Sequence, residues 1–181
     1  MLRSLLAAVS LLVAAPPAAA QEGGAASDRI ANDPRVPALT PYGLNLPPRI
    51  RDDKAVQFGK AMRIQLSGHA DFWRIGVISP TLKPVQKGDR IVIAFWARAE
   101  KTEGGAPGVI RRVQLEATTP AIRTIFEKPF EVGAEWKMYQ LAGVADQDYP
   151  AGRLNAALHL DGAKQVLDIG PVFILDYGPA K

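Results

Sequence analysis

The chain lacks cysteine, contains few aromatic residues, and has neither a long hydrophobic run nor a strong excess of one charge. Without cysteine there is no disulfide framework, so stability must come from packing, with or without a bound metal. The 22 basic and 18 acidic residues leave a formal net charge of +4, too small an excess to indicate a nucleic-acid partner. The longest apolar run, at residues 5–15, is shorter than the roughly 20 residues of a membrane-spanning helix. These absences favour one packed globular domain without stable membrane insertion.

The N-terminus has the pattern of a secretory signal peptide. Arg3 supplies the positive charge, the apolar run follows it, and Ala18-Ala19-Ala20 precedes Gln21 as a small-residue cleavage site. We therefore assign residues 1–20 to a signal peptide and expect the mature chain to be periplasmic or secreted.

The next segment, residues 21–49, is rich in Ala, Gly and Pro. Its prolines disfavour regular structure, so we interpret it as an extended tether or as a strap lying over the domain. The folded domain is then expected over residues 50–181.

Within that domain, segments with the residue pattern of β-strands recur between turns rich in Gly, Pro and Asp. No segment has the apolar spacing of a helix together with helix-capping residues. Eight strands without helices predict an all-β fold, a two-sheet antiparallel sandwich. The predicted strands are Ala61–Leu66, Phe72–Ile78, Arg90–Arg98, Val109–Ala117, Ile122–Phe126, Trp136–Leu141, Leu154–Leu160 and Val166–Asp176.

The strand after Lys87-Gly88-Asp89 carries two different faces, because strand side chains alternate. Ile91, Ile93, Phe95 and Ala97 form an apolar face, which belongs in a core. The same alternation in the other strands places a set of polar and aromatic residues outward. If these strands share one sheet, its outer surface is polar and contains one tryptophan. The candidate ligand-binding residues on that surface are Trp96, Arg98, Arg112, Gln114, Glu116, Asn155 and His159.

Several stretches together resemble the carbohydrate-binding modules of the family 4/9/22 type, over roughly Asp53 to Gly178. The resemblance is carried by Gly59-Lys60-Ala61-Met62-Arg63, Trp73, Lys87-Gly88-Asp89, Phe95-Trp96-Ala97-Arg98-Ala99, Glu135-Trp136-Lys137-Met138-Tyr139 and the final run from Ile169 to Asp176.

This resemblance implies a galactose-binding-like β-jelly roll that binds a polysaccharide or oligosaccharide without modifying it. It also implies a separate glycoside hydrolase as a partner, because such modules accompany these enzymes. A structural Ca²⁺ is expected from the family between an N-terminal carboxylate, Asp53 or its neighbour Asp52, and Asp176 on the last strand. Carboxylate oxygens are suitable calcium ligands.

Each candidate residue also has a structural interpretation. Trp96 either stacks on a sugar ring or is buried under a neighbouring loop. Arg98 and Arg112 either hold a ligand's hydroxyl or carboxylate groups or form a solvated strand face paired with Glu116.

No catalytic motif is evident. A glycosidase pair of Glu116 with Glu127 or Glu131 is conceivable but has no local support, and His69 and His159 lack the spacing of a zinc site. The alternative to sugar binding is a periplasmic structural or protein-interaction scaffold.

Overall fold

The computed structural model describes residues 26–180, which form ten β-strands and four short 3-10 turns. The turns are Ala26–Arg29, Val36–Ala38, Gln57–Gly59 and Glu103–Gly105. The strands are β1 (Thr40–Tyr42), β2 (Arg49–Asp52), β3 (Lys60–Ser67), β4 (Gly76–Pro80), β5 (Asp89–Thr102), β6 (Gly108–Ala117), β7 (Arg123–Val132), β8 (Lys137–Val144), β9 (Leu154–His159) and β10 (Lys164–Pro179).

The strands form two five-stranded antiparallel sheets. The first sheet has the order β1-β4-β9-β6-β7, and the second has the order β2-β3-β10-β5-β8. Neighbours in each sheet are mostly distant in sequence, which is typical of a jelly roll rather than of a simple meander. The predicted all-β, two-sheet jelly-roll sandwich is confirmed, and each predicted strand overlaps an observed one.

The core lies between the sheets and is built from alternate residues of the central strands. In β5, Ile91, Ile93, Phe95 and Ala97 are all fully buried, as the alternation predicted. The facing residues of the first sheet include Val113, Leu115, Leu154, Ala156 and Leu158, which are also inaccessible. The intervening residues of β6 and β9 therefore point to the outer surface of the first sheet.

Strand β6 contains an irregularity near its start, at Arg111. The pairing of β6 with β7 shifts register between Ile110 and Val113, and Arg111 is exposed. Because an extra residue in a bulge reverses the alternation, Ile110 rather than Val109 joins the core. The bulge leaves Arg112 and Gln114 on the outer face of the sheet.

Part of the segment interpreted as a tether or a strap packs against the sandwich, as a strap would, and the packed structure begins before the expected boundary at residue 50. Ala31, Val36 and Leu39 are buried in the core, and β1 is an edge strand of the first sheet. The Asn32 side chain donates to the Val172 carbonyl and accepts from the Ile174 amide. The segment thus lies beside the part of β10 that β3 does not pair with, and it closes one side of the sandwich.

The assigned signal peptide, residues 1–20, lies outside the described residues and stays a prediction. Across residues 26–180, no helix has the length and apolar character needed to cross a membrane.

Candidate functional site

The seven candidate ligand-binding residues do not share one sheet. Trp96 and Arg98 are on β5 in the second sheet, whereas the other five are on β6 and β9 in the first sheet. The two groups therefore occupy opposite outer surfaces of the sandwich. We call the first group's surroundings the arginine face (Arg51, Asp53, Arg63, Arg98, Glu100 and Asp168) and the other the aromatic–amide face (Tyr42, Phe72, Trp73, Gln114, Glu116, Asn155 and His159).

The arginine face is organised around a single buried carboxylate. Asp168 is fully buried and accepts hydrogen bonds from Arg51 at 2.5 Å, from Arg63 at 2.8 and 3.0 Å, and from Arg98 at 2.8 Å. Burial raises the pKa of the Asp168 carboxyl, but the hydrogen bonds from Arg63 and Arg98 outweigh it and hold the pKa below its usual value. These charge-assisted bonds join β2, β3, β5 and β10 across the sheet.

The donors of Arg98 are already engaged within the protein. Besides Asp168, its guanidinium lies 3.3 Å from Glu100 and 3.7 Å from Asp53, and 5.1 Å from the centre of the Trp136 ring. A ligand would have to displace these carboxylates to reach it. We therefore interpret Arg98 as a structural residue.

Trp96 is only partly exposed. Its Cβ lies 2.8 Å from the position that a Cβ on Gly170 would take, and Val56, from the loop before β3, lies 3.5 Å from the same point. The indole Nε1 is buried and has no hydrogen-bond partner among the described residues. This environment matches the alternative in which Trp96 is packed beneath a loop.

The two carboxylates expected to share a calcium ion are not brought together. Asp53 accepts hydrogen bonds from Trp136 Nε1 at 3.2 Å and from Arg51 at 3.4 Å. Arg51 also pairs with Asp168, so Asp53 lies near the first half of β10. Asp176 lies eight residues further along β10, about 25 Å away at the usual rise of a strand. Between residues 26 and 180, no group of three or more His, Asp or Glu side chains is placed to hold a metal. The geometry does not support this pairing, and calcium binding itself stays a prediction.

The centre of the aromatic–amide face is a buried carboxylate held only by amides. Glu116 is 5% exposed, and its oxygens accept from Gln114 Nε2 at 2.5 Å and from Asn155 Nδ2 at 3.4 Å. The Thr124 hydroxyl donates in turn to the side-chain oxygen of Gln114, Oε1, at 3.0 Å. No Lys or Arg of the described chain lies within salt-bridge distance of Glu116, so its charge is uncompensated, which is costly for a buried group.

Aromatic rings flank this polar centre at one end. Tyr42 comes from β1, and Phe72 and Trp73 come from the connection between β3 and β4. The Phe72 and Trp73 rings are perpendicular at 5.0 Å, and both Tyr42 and Phe72 meet the His159 ring edge-on, at 6.3 and 6.1 Å. Trp73 is 55% exposed, so its ring is available to a ligand.

The position of Tyr42 depends on a glycine in the neighbouring strand. A Cβ on Gly76 would overlap the Tyr42 hydroxyl and ring, so only glycine lets the ring lie across β4. The hydroxyl then comes within 2.6 Å of His159 Nδ1.

The electrostatics keep Tyr42 and His159 uncharged near pH 7. Burial, assisted by the charge of Glu116, raises the pKa of Tyr42 far above its usual value. Burial also lowers the pKa of His159, and this effect exceeds the opposing influence of Glu116. The pair is therefore a neutral hydrogen-bonding unit, with no charge that a ligand must neutralise.

Arg112 lies at the border of the aromatic–amide face and is paired with Glu127 rather than with Glu116. Its Nε is 2.9 Å from the Glu127 carboxylate, and its guanidinium stacks on Phe72 at 4.8 Å. The face thus offers amide, hydroxyl and carboxylate groups beside one exposed ring, Trp73, and two half-buried rings, Tyr42 and Phe72. Such a surface can accept and donate hydrogen bonds to hydroxyl groups while a ring packs on an apolar patch.

Sequence reasoning found the polar centre of this face but missed most of its rings. Tyr42 was in the segment assigned to a tether, and Phe72 was assigned to a strand. Tyr42 lies in a three-residue edge strand and Phe72 in a turn, and alternation reveals neither kind of structure. The adjacent aromatic residues Phe72-Trp73, a few residues after the Ser67-Gly68 turn, were the one available signal.

Comparisons with known proteins agree with this architecture. No family model and no curated protein matches the chain. Among solved structures, a CBM4 domain is similar at a TM-score of 0.57 and 14% identity, covering 77% of this chain and 95% of that chain. The N-terminal cellulose-binding domain of Cellulomonas fimi β-1,4-glucanase C gives 0.58 at 13%, with 82% and 93% covered. The CBM22-1 xylan-binding domain from Paenibacillus barcinonensis gives 0.55 at 15%, with 84% and 94% covered.

At these identities the similarity defines the fold alone. The chain has the jelly-roll fold of the carbohydrate-binding modules of families 4 and 22, over nearly the full length of those modules.

Proposed function

We propose that the chain is a non-catalytic carbohydrate-binding module whose ligand site is the aromatic–amide face. The observation that carries the proposal is the exposed Trp73 ring, with the half-buried Tyr42 and Phe72 rings, next to a buried carboxylate that has no ion-pair partner among the described residues. Sugar rings present apolar C–H patches and hydroxyl donors, and Trp73 and Glu116 are the complementary groups. Gln114, Asn155 and the Tyr42–His159 pair supply further donors and acceptors.

The hydroxyl groups of a ligand would compensate the charge of Glu116. Its carboxylate has two amide donors and room for more, since an ionised carboxyl accepts about four hydrogen bonds. A protein keeps an uncompensated buried charge at a cost in stability, which is reasonable where a ligand later supplies the missing donors.

Binding without catalysis is supported by the contacts of Glu116 and Glu127, one of the two conceivable glycosidase pairs. Glu127 is ion-paired with Arg112, and Glu116 is held by two amides. A glycosidase pair must act on the two sides of one glycosidic bond, and both of these carboxyl groups are already engaged by side chains of the protein.

Export and partnership complete the proposal. The signal-like N-terminus supports a periplasmic or secreted location. The similar Cellulomonas fimi domain is by its description part of a β-1,4-glucanase, which supports a separate glycoside hydrolase as partner.

Affinity electrophoresis of the mature chain through gels containing neutral and acidic polysaccharides tests the proposal. We expect retardation by at least one polysaccharide, and at least tenfold weaker binding for Trp73→Ala and Glu116→Gln, equivalent to about 1.4 kcal/mol or more. Asp52→Asn, an exposed change on the opposite sheet, is the control and should bind normally.

Absence of retardation in every gel would overturn the proposal. It would favour the alternative of a periplasmic structural or protein-interaction scaffold.

A further inference from the structure

A second concave site lies next to the aromatic–amide face but shares no lining residue with it. The connection between β1 and β2, residues 43–48, stands opposite β3 and encloses a cleft of about 630 Å³. The other wall is formed by Arg63, Ile64, Gln65 and Ser67 of β3, and by His69, Arg74 and Ile75. This volume is in the range of a small-molecule or oligosaccharide site.

The walls of this cleft are held by backbone packing. Gly43 has a φ of +75°, and a Cβ there would overlap the carbonyl oxygen of Arg74. The β1–β2 connection therefore sits directly on the backbone that carries Arg74. This fit fixes the spacing between the two walls without any ligand.

The lining of the cleft is basic. Arg49, Arg63, Arg74 and His69 line it, and the lining includes no acidic residue. Arg49 and Arg74 are exposed, and neither has a carboxylate within 4 Å among the described residues. Two unpaired charges of one sign in a cleft, here those of Arg49 and Arg74, raise the local electrostatic potential and attract ligands of the opposite sign.

The remaining two basic residues are positioned by buried carboxylates behind the cleft wall. Asp161 is fully buried and accepts from His69 Nδ1 at 2.8 Å and from the backbone amides of Gly68 and His69. Asp168 holds Arg63 in the same way. The imidazole and guanidinium groups are therefore oriented before any ligand arrives, which reduces the entropy lost on binding.

We propose that this cleft binds an oxyanion, a carboxylate or phosphate group carried by a saccharide. Arginine side chains match these planar or tetrahedral oxyanions through paired N–H donors. Arg49 and Arg74 supply the donors that the protein itself leaves unused, and His69 adds a third, oriented group. The cleft has its own lining residues, although Gly43 and Arg74 directly follow Tyr42 and Trp73 of the aromatic–amide face in the chain.

The test is an NMR titration of the mature chain with two probes, a galacturonate oligosaccharide and inorganic phosphate. We expect at least one probe to shift the signals of Arg49, Arg74 and His69. The double variant Arg49→Gln/Arg74→Gln should weaken this binding at least tenfold. Arg90→Gln/Arg153→Gln removes the same charge from exposed positions elsewhere and should change it less than about threefold.

The probe that binds identifies the source of the oxyanion, since a carboxylated sugar and a free phosphate are tested separately. Failure of both probes to shift these signals would overturn the proposal, as would equal weakening by both double variants, which would indicate nonspecific charge attraction. Retention on neutral polysaccharide gels should be unchanged in Arg49→Gln/Arg74→Gln, so a failure here is distinguishable from a failure of the proposed function.

Discussion

Replacing Asp168 by Asn removes the carboxylate charge that Arg51, Arg63 and Arg98 share. Removing one member of a buried ion cluster costs about 3–5 kcal/mol, because the remaining charges lose their partner. The three arginines are about a quarter exposed and keep contacts to Asp53 and Glu100, and Asn retains one acceptor oxygen. We therefore expect a loss at the lower end of this range, about 3 kcal/mol of unfolding free energy, which lowers the Tm by roughly 6–12 °C.

Urea unfolding at pH 7, followed by circular dichroism, measures this change as a shift of the midpoint at constant slope. Asp52→Asn is the control, because Asp52 is 85% exposed and its pair with Lys60 should contribute less than about 1 kcal/mol.

The pH dependence has a defined sign. The pKa of Asp168 is lowered in the folded state, so its stabilisation is complete above the usual value of 3.8 and is lost as the pH falls through the folded-state pKa. The difference between the wild-type protein and Asp168→Asn should therefore shrink in acid. A loss at pH 7 no larger than that of Asp52→Asn would refute the structural interpretation of the arginine face. Loss of glycan binding in a folded Asp168→Asn protein would contradict it as well.

Three further predictions concern other parts of the molecule. Gly76→Ala should displace the Tyr42 ring, lower stability by about 1–3 kcal/mol and weaken glycan binding; an unchanged affinity in gel retardation would show that Tyr42 is not part of the site. Asp176→Asn should raise the unfolding free energy at pH 7, because burial and the nearby Asp89 raise the pKa of Asp176 in the folded protein. The contribution of the Asp176 carboxyl to stability is therefore present below pH 3.8 and is lost as the pH rises through its folded-state pKa. Equal urea midpoints for the two proteins from pH 4 to 8 would contradict this prediction. Mass spectrometry of the exported protein should find Gln21 as its first residue, and an intact N-terminus would exclude the assigned cleavage.

The fold could be predicted from the sequence because the core strands alternate strongly. Met62, Ile64 and Leu66 of β3 alternate with the polar residues Arg63, Gln65 and Ser67, and Gly and Pro turns separate most strands. The bulge at Ile110–Val113 could not be placed from alternation, since one extra residue reverses the faces on either side of it.

The short strands β1 and β2 were missed because three or four residues beside prolines carry too little alternation. Their place in the fold depends on long-range pairing, such as Tyr42 opposite Gly76, which single-sequence patterns do not encode.

The site was predicted only in part for a similar reason. Alternation placed Arg98, Gln114 and Glu116 correctly on outer faces, but it could not assign strands to sheets. Trp96 and Arg98 lie on a different sheet from the other five candidate residues, because β5 pairs with β10 and β8, while β6 pairs with β9 and β7. The role of Arg98 also depends on Asp168, a partner seventy positions away in the chain.

The indole N–H signals of the three tryptophans allow the most direct test of the proposed site. During NMR titration with a polysaccharide fragment that retards the chain, the Trp73 signal should shift, together with the side-chain amides of Gln114 and Asn155. The Trp96 and Trp136 signals, on the opposite sheet or at its border, should stay in place. Shifts confined to Trp96 and the Arg98 guanidinium would contradict the account and place the ligand on the arginine face.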